Sequence, residues 1–113
     1  MNPYCKSALN QLKIALTKTI EIMEKLDESD LLKRPSSNKH SIGELLEHIA
    51  NICRADLLIA NGATQDEMNQ FYSSVKYMGI NEIKTGILNN FKLLEESYLK
   101  YTELELQQKI TSF

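Results

Sequence analysis

Apolar side chains recur at steps of three and four residues in three long stretches of this chain, and no stretch alternates with the two-residue period of a strand. A period of three to four residues is typical of α-helices that bury one face. Residues that interrupt helices separate the stretches, namely Pro35, Asn61-Gly62 and Gly79. The pattern therefore predicts an all-α, antiparallel up-down bundle with three long helices and additional short helices.

Capping residues predict where these helices begin. Asn2 followed by Pro3 favours the start of the first helix. Ser41 with Glu44 has the spacing of a capping box and predicts the start of the second. Three apolar stripes follow from this division: Leu9, Leu12, Leu16, Ile20, Met23 and Leu26; Ile42, Leu45, Ile49, Ile52 and Ile59; and Ile80, Ile83, Ile87, Phe91, Leu94, Tyr98 and Tyr101.

Shorter helices are predicted by the same kind of signal. Asp30-Leu31-Leu32 favours one short turn before Pro35, which imposes an extended backbone on the residue before it. Thr64 with Glu67 repeats the capping-box spacing and predicts a short helix through Phe71. The pair at 102 and 105 repeats it again and predicts a final short helix that ends near residue 110.

Length and composition limit the classes of function. A chain of 113 residues with 13 basic and 15 acidic side chains predicts one domain, residues 1–113, without the basic excess of a nucleic-acid binder. No apolar run approaches the ~20 residues that span a membrane, and the N-terminal residues lack a secretory pattern. We therefore expect a cytoplasmic protein. Its two cysteines, Cys5 and Cys53, are expected to stay reduced and to pack as small apolar groups.

Polar residues on apolar helix faces are the candidates for function, because burying them costs free energy. In the second helix, the arc that contains Leu45 and Ile59 is predicted to be buried. Asp56 falls near the middle of this arc and His48 at its edge. In the third long helix, Asn90 falls inside the apolar stripe. These three residues are therefore expected to point into or beside the interior of the bundle.

Each candidate also has a purely structural interpretation. A lone histidine such as His48 at the edge of a helix face is more often a solvated or hydrogen-bonded structural residue than a ligand. Asp56 would bond a neighbouring helix end or pair with a basic side chain at the rim. Asn90 would fix the register between helices, as single buried amides do in coiled coils. Sequence motifs do not decide between the interpretations, because P-loop, GxSxG, HExxH and ExxH patterns are all absent.

The segment from Leu31-Leu32-Lys33-Arg34-Pro35 to Ser41-Ile42-Gly43-Glu44-Leu45-Leu46-Glu47-His48-Ile49-Ala50 resembles the DinB/YfiT-like family of bacterial helical bundles. In that family a leucine, basic, Arg-Pro loop leads into a helix that reads approximately S-I-G-E-L-L-x-H-I/L-A. The resemblance extends over nearly the whole chain and is specific at the second helix. It implies an up-down-down-up four-helix bundle. One position departs from the pattern, since His40 stands where relatives commonly have an aromatic residue.

The resemblance also implies a divalent metal, such as zinc or nickel, bound by three histidines. One histidine comes from the second helix and matches His48. The other two form an H-x-x-x-H on a fourth helix, which would begin after Phe113, so we expect an incomplete ligand set within this sequence. Asp56 and Asn90 would lie outside the ligands of the metal and would orient those ligands or the substrate.

Two functional hypotheses follow. The first is a metal-dependent transferase or hydrolase whose metal activates a small-molecule thiol, as the resemblance implies. The second is a non-catalytic bundle that acts through homodimerisation or another protein–protein contact. Three long helices without a fourth leave apolar surface uncovered, and such surface is typical of interfaces.

Overall fold

The periodic stretches form helices close to the predicted bounds. The computed structural model describes residues 3–100 and Leu104. It contains four α-helices over these residues: α1 (Pro3–Met23), α2 (Ile42–Ala60), α3 (Gln65–Ser74) and α4 (Ile80–Lys100). A 3-10 turn at Glu28–Leu32 lies where a short turn was expected. The all-α class is therefore confirmed. Tyr101 and the predicted final helix lie outside the described residues, apart from Leu104.

Capping boxes begin two of the helices, as predicted. The Ser41 hydroxyl accepts a hydrogen bond from the N–H of Glu44 at 3.1 Å, and the Glu44 carboxylate accepts one from the N–H of Ser41 at 3.1 Å. Thr64 and Glu67 form the same reciprocal pair at the start of α3. A third box, between Asp27 and Asp30, begins the 3-10 turn and was not predicted. These bonds satisfy backbone donors that a helix start leaves unpaired.

The segment that carries the family resemblance forms a tight joint between the 3-10 turn and α2. A Cβ added at Gly43 would lie 3.0 Å from the carbonyl oxygen of Leu31, so the close approach of the two elements favours glycine. Arg34 donates a hydrogen bond to the carbonyl of Lys39 at 2.7 Å and lies 2.9 Å from the Glu44 carboxylate. Arg34 in the loop and Gly43 in the first turn of α2 therefore have structural roles that are visible in the contacts.

The three long helices run up, down and down. Glu24, the residue after α1, lies 4.0 Å from Lys84 in the first turns of α4, so these helices are antiparallel. Asn90 of α4 bonds to Ala50 of α2, and further along both helices α4 shares a groove with Asp56 of α2. Helices α2 and α4 therefore run in the same direction, with α3 in the connection between them.

The core lies mainly between α2 and α4, which form the most extensive helix pair, and α1 packs on α4. Its largest fully buried side chains are Met23, Ile83 and Ile87. Both thiols, of Cys5 and Cys53, are buried there as predicted. None of the described helices is both long enough and apolar enough to cross a bilayer.

The predicted buried arc of α2 consisted of Leu45, Ile49, Ile52 and Ile59, and it was wrong at its two ends. Ile49 and Ile52 are half-buried, and Ile49 packs against the core. Leu45 and Ile59 are 46% and 38% exposed. The buried side chains lie about a third of a turn around the helix, and they are Leu46, Ala50, Cys53 and Leu57. Helix α2 carries apolar residues on both arcs, so periodicity alone does not identify the arc that faces α4. Packing against α4 decides it.

Candidate functional site

His48 lies on the exposed side of α2. Its side chain is open to solvent, and neither a hydrogen bond nor a salt bridge joins it to another residue of 3–100. The other histidine differs, because Nδ1 of His40 lies 3.2 Å from the Glu44 carboxylate. His48 is thus sterically accessible, but it stands apart from the two cavities where Asp56 and Asn90 lie.

Asp56 lies in an apolar groove between α1 and α2, with α4 as its floor. We call this the α1–α2 groove, and its volume is about 390 Å³. Helices α1 and α2 make only sparse contacts with each other, which leaves the groove open between them. Among the described residues, Asp56 is the single charged side chain of its lining; the other lining residues are Tyr4, Cys5, Ala8, Leu9, Leu12, Leu94 and Tyr98.

Burial shifts the pKa of Asp56 in the groove and of Cys53, which lies behind it on α2 in the core. Burial raises the pKa of Asp56, because an apolar surrounding disfavours the carboxylate. Burial, with a smaller contribution from the Asp56 charge, raises the pKa of Cys53 to about 11. The Cys53 thiol is therefore protonated at neutral pH and is a poor nucleophile or metal ligand. Within residues 3–100, no salt bridge joins Asp56 to a basic side chain.

Asn90 lies on the other side of the α2–α4 pair. Its side-chain amide donates a hydrogen bond to the backbone carbonyl of Ala50 at 2.8 Å, which links the two helices. This bond supports the register interpretation of Asn90. The same residue lines an open cleft of about 640 Å³, which we call the amide cleft. Its polar lining includes Asn51, Arg54, Tyr77, Asn81, Asn89 and Asn90.

Tyr77 and Asn51 are central to the amide cleft, and sequence reasoning missed both. The Tyr77 hydroxyl donates to the Asn51 side-chain oxygen at 2.7 Å, and Asn51 is 9% exposed. Burial raises the pKa of Tyr77, partly opposed by hydrogen bonding with Asn90. Gly86 makes room for the ring, since an added Cβ would lie 2.6 Å from Tyr77 Cε1. A glycine inside α4, where it weakens a helix, was the available sequence signal.

The structure does not bring His48, Asp56 and Asn90 together. His48 and Asp56 are two helical turns apart, about 12 Å along the axis, which is too far to share one ion. Asn90 faces a different cavity from Asp56. Among the described residues, no group of three or more His, Cys, Asp and Glu side chains is placed to hold a metal. These residues therefore do not fit a resident metal ion by themselves.

Comparisons with known proteins agree on the fold. The sequence model of the DinB superfamily matches residues 11–111. The chain is similar to a crystal structure from Exiguobacterium sibiricum 255-15 that is assigned to the DinB family, with 24% identity and a TM-score of 0.74. That match covers 99% of this chain and 84% of the other chain, and at this identity it shows the fold alone. Among curated proteins there is no significant match.

Proposed function

The chain belongs to the DinB superfamily, and within that family we propose that it acts as a self-associating helical bundle in which a second copy occupies the α1–α2 groove. The observation that supports this proposal most directly is the groove itself. It is apolar and open between two helices, and it holds one half-buried carboxylate, Asp56, without a basic partner in residues 3–100. An occupant that brings apolar side chains and one cation would satisfy both features.

Charge favours a second copy as that occupant. Residues 3–18 of α1 contain Lys6, Lys13 and Lys18 and no acidic residue, so this half of the helix is basic. It also carries exposed apolar side chains, with Tyr4 86% and Ile14 51% exposed. Because α1 borders the groove of its own copy, a two-fold arrangement would let each α1 reach the groove of the other. A lysine of one copy would then neutralise Asp56 of the other.

Sedimentation equilibrium over a range of concentrations tests this proposal. We expect the wild type to dimerise, and Ala8→Glu, at the edge of the groove, to shift it to monomer. Ser7→Glu is the matched control, because the neighbouring exposed residue points away from the groove and should preserve the dimer. Asp56→Asn should weaken dimerisation, and Asp56→Lys should weaken it further. A wild type that stays monomeric at all concentrations, or equal dimerisation by the Ala8 and Ser7 variants, would rule the proposal out.

Divalent-metal binding through His48 is a second candidate, favoured by the accessible imidazole on α2. Zinc or nickel binds neutral imidazole well, but the other ligands have to come from outside residues 3–100. The described residues therefore supply no activation of a small-molecule thiol on their own. Titration calorimetry with zinc and nickel on the wild type, His48→Ala and His40→Ala tests this candidate. Only the His48 variant should lose binding, and equal binding by the wild type and that variant would contradict the assignment.

A further inference from the structure

The amide cleft is independent of the surface used for self-association. It lies where α2, the end of α3, the following connection and α4 meet. The α1–α2 groove is lined by α1, Asp56 of α2 and two residues of α4, and the two cavities share no lining residue. Its volume of about 640 Å³ is in the range of small-molecule sites. None of the cleft residues is explained by the proposed dimer.

Two of the polar groups that line the cleft are held in fixed positions. Tyr77 lies against the backbone of Gly86, and its hydroxyl is bonded to Asn51 at 2.7 Å. The amide of Asn90 is bonded to the carbonyl of Ala50 at 2.8 Å. These contacts involve α2, α4 and the connection before α4, so they fix the cleft wall relative to the core. A preformed wall lowers the entropy cost of binding a ligand.

The charges at the cleft favour an anion. Arg54 and Lys76 line it, and within residues 3–100 no salt bridge joins either of them to a carboxylate. The single carboxylate of the lining, Glu82, accepts a hydrogen bond from the backbone N–H of Met78 at 2.9 Å. Two cations against one carboxylate give the residues that line the cleft a net positive charge, in a chain whose net charge is −2. Glu47 of α2 does not line the cleft, but it lies near enough to Tyr77 to contribute to the raised pKa of that hydroxyl.

The neutral groups favour a ligand that also carries hydroxyls. Asn81 and Asn89 are exposed side chains on the α4 side of the cleft, and Thr85 lies between them. Each amide offers both a donor and an acceptor, which is the complement that a hydroxyl needs. Arg54 offers the planar donor pair that binds carboxylate and phosphate oxygens in two-point contacts.

We propose that the amide cleft binds a small hydroxylated organic anion. Its carboxylate or phosphate contacts Arg54 and Lys76, and its hydroxyls contact the amides of Asn81 and Asn89. An apolar ligand would leave these amides and both cations without partners. The lining is unfavourable for a metal cation, because it offers one carboxylate, which is already hydrogen-bonded, beside two positive charges.

Titration calorimetry with two probes tests the proposal: citrate, a hydroxylated carboxylate, and glycerol phosphate, a hydroxylated phosphate ester. We expect at least one of them to bind the wild type, and Arg54→Gln to raise its Kd by about tenfold or more, as expected for the loss of a charge-assisted hydrogen bond. Lys76→Gln should weaken binding less, because a lysine contributes a single point contact. Whichever probe binds identifies the preferred oxyanion.

Lys92→Gln is the matched control, since this exposed lysine lies on α4 outside the cleft. It removes one positive charge without touching the site and should leave Kd unchanged. Asn89→Asp provides a second variant, because it places a carboxylate in the cleft and should abolish binding. Failure of both probes to bind the wild type, or equal weakening by the Arg54 and Lys92 variants, would overturn the proposal.

Discussion

The carboxylate of Glu28 accepts a hydrogen bond from the backbone N–H of Ile80 at 3.0 Å, across a separation of 52 residues. Glu28 belongs to the 3-10 turn and Ile80 is the first residue of α4, so a distant side chain caps this helix. A carboxylate at a helix N-terminus both accepts from an unpaired N–H and opposes the positive end of the helix dipole. The start of α4 is therefore tied to the segment between α1 and α2.

We expect Glu28→Ala to lower the free energy of unfolding by about 1 kcal/mol, because the bond of Glu28 to Ile80 is lost. Glu21→Ala, an exposed substitution on α1, should change it by less than about 0.5 kcal/mol. Urea unfolding followed by circular dichroism measures both. Equal effects of the two variants would show that the long-range cap contributes nothing.

Removal of the Tyr77 hydroxyl should lower stability, because Asn51 loses its hydrogen-bond donor. Tyr77→Phe leaves the side-chain oxygen of Asn51 buried without its donor, which costs about 1–3 kcal/mol. The control is Tyr72→Phe, since Tyr72 is 46% exposed and contacts Phe71 only through its ring. Thermal unfolding should separate the two variants by several degrees. Identical melting temperatures would contradict the role of this bond.

Because Gly86 and Tyr77 approach closely, we expect the effect of Gly86→Ala on the free energy of unfolding to change sign when the Tyr77 ring is removed. Gly86→Ala should destabilise the wild type, since the new Cβ would lie 2.6 Å from the ring. In a Tyr77→Ala background the same change should stabilise α4 by up to about 1 kcal/mol, because alanine is the better helix former. A double-mutant cycle by urea unfolding measures the coupling between the two residues. Additive effects would show that the contact is unimportant.

The half-buried position of Asp56 predicts that its contribution to stability decreases as the pH rises, the reverse of the usual direction for a carboxylate. Burial raises its pKa in the folded state, so its contribution to stability falls as pH rises through the ordinary value of about 4. Asp56→Asn should therefore stabilise the monomer at pH 7, with the difference disappearing below about pH 4. Unfolding of dilute monomer measures this, with the exposed Glu96→Gln as control. A destabilised Asp56 variant at neutral pH would contradict it.

For Glu44 we expect stability to depend on pH in the opposite direction, so that it falls as the pH is lowered. Its bond from the Ser41 backbone N–H, aided by His40, lowers the pKa of Glu44 to about 2. A lowered pKa contributes stability that is complete above the ordinary value of about 4.3 and is lost as pH falls towards 2. Glu44→Gln should thus be less stable than the wild type at pH 7, with the two curves converging between about pH 4.5 and 2. Parallel curves over this range would exclude the effect.

Local signals predicted the helices better than they predicted the site. Ser41 and Thr64 begin helices as expected, because a capping box is a contact within four residues. The buried face of α2 was predicted wrongly, since Leu45 and Leu46 are neighbours of equal hydrophobicity and the choice between them depends on α4. Tyr77 gave no periodic signal because it lies in a connection. Its importance follows from residues on α2 and α4 that only the folded chain brings to it.

Among the described elements, helix α1 packs chiefly on α4 and has little contact with α2. A helix with neighbours on one side opens by breaking a single interface, whereas α2 has to break contacts with α4, α3 and the 3-10 turn. Local opening of α1 would leave the α2–α4 pair and the amide cleft intact. The α1–α2 groove would be lost in the same event, so the two cavities would belong to parts of the bundle that open separately.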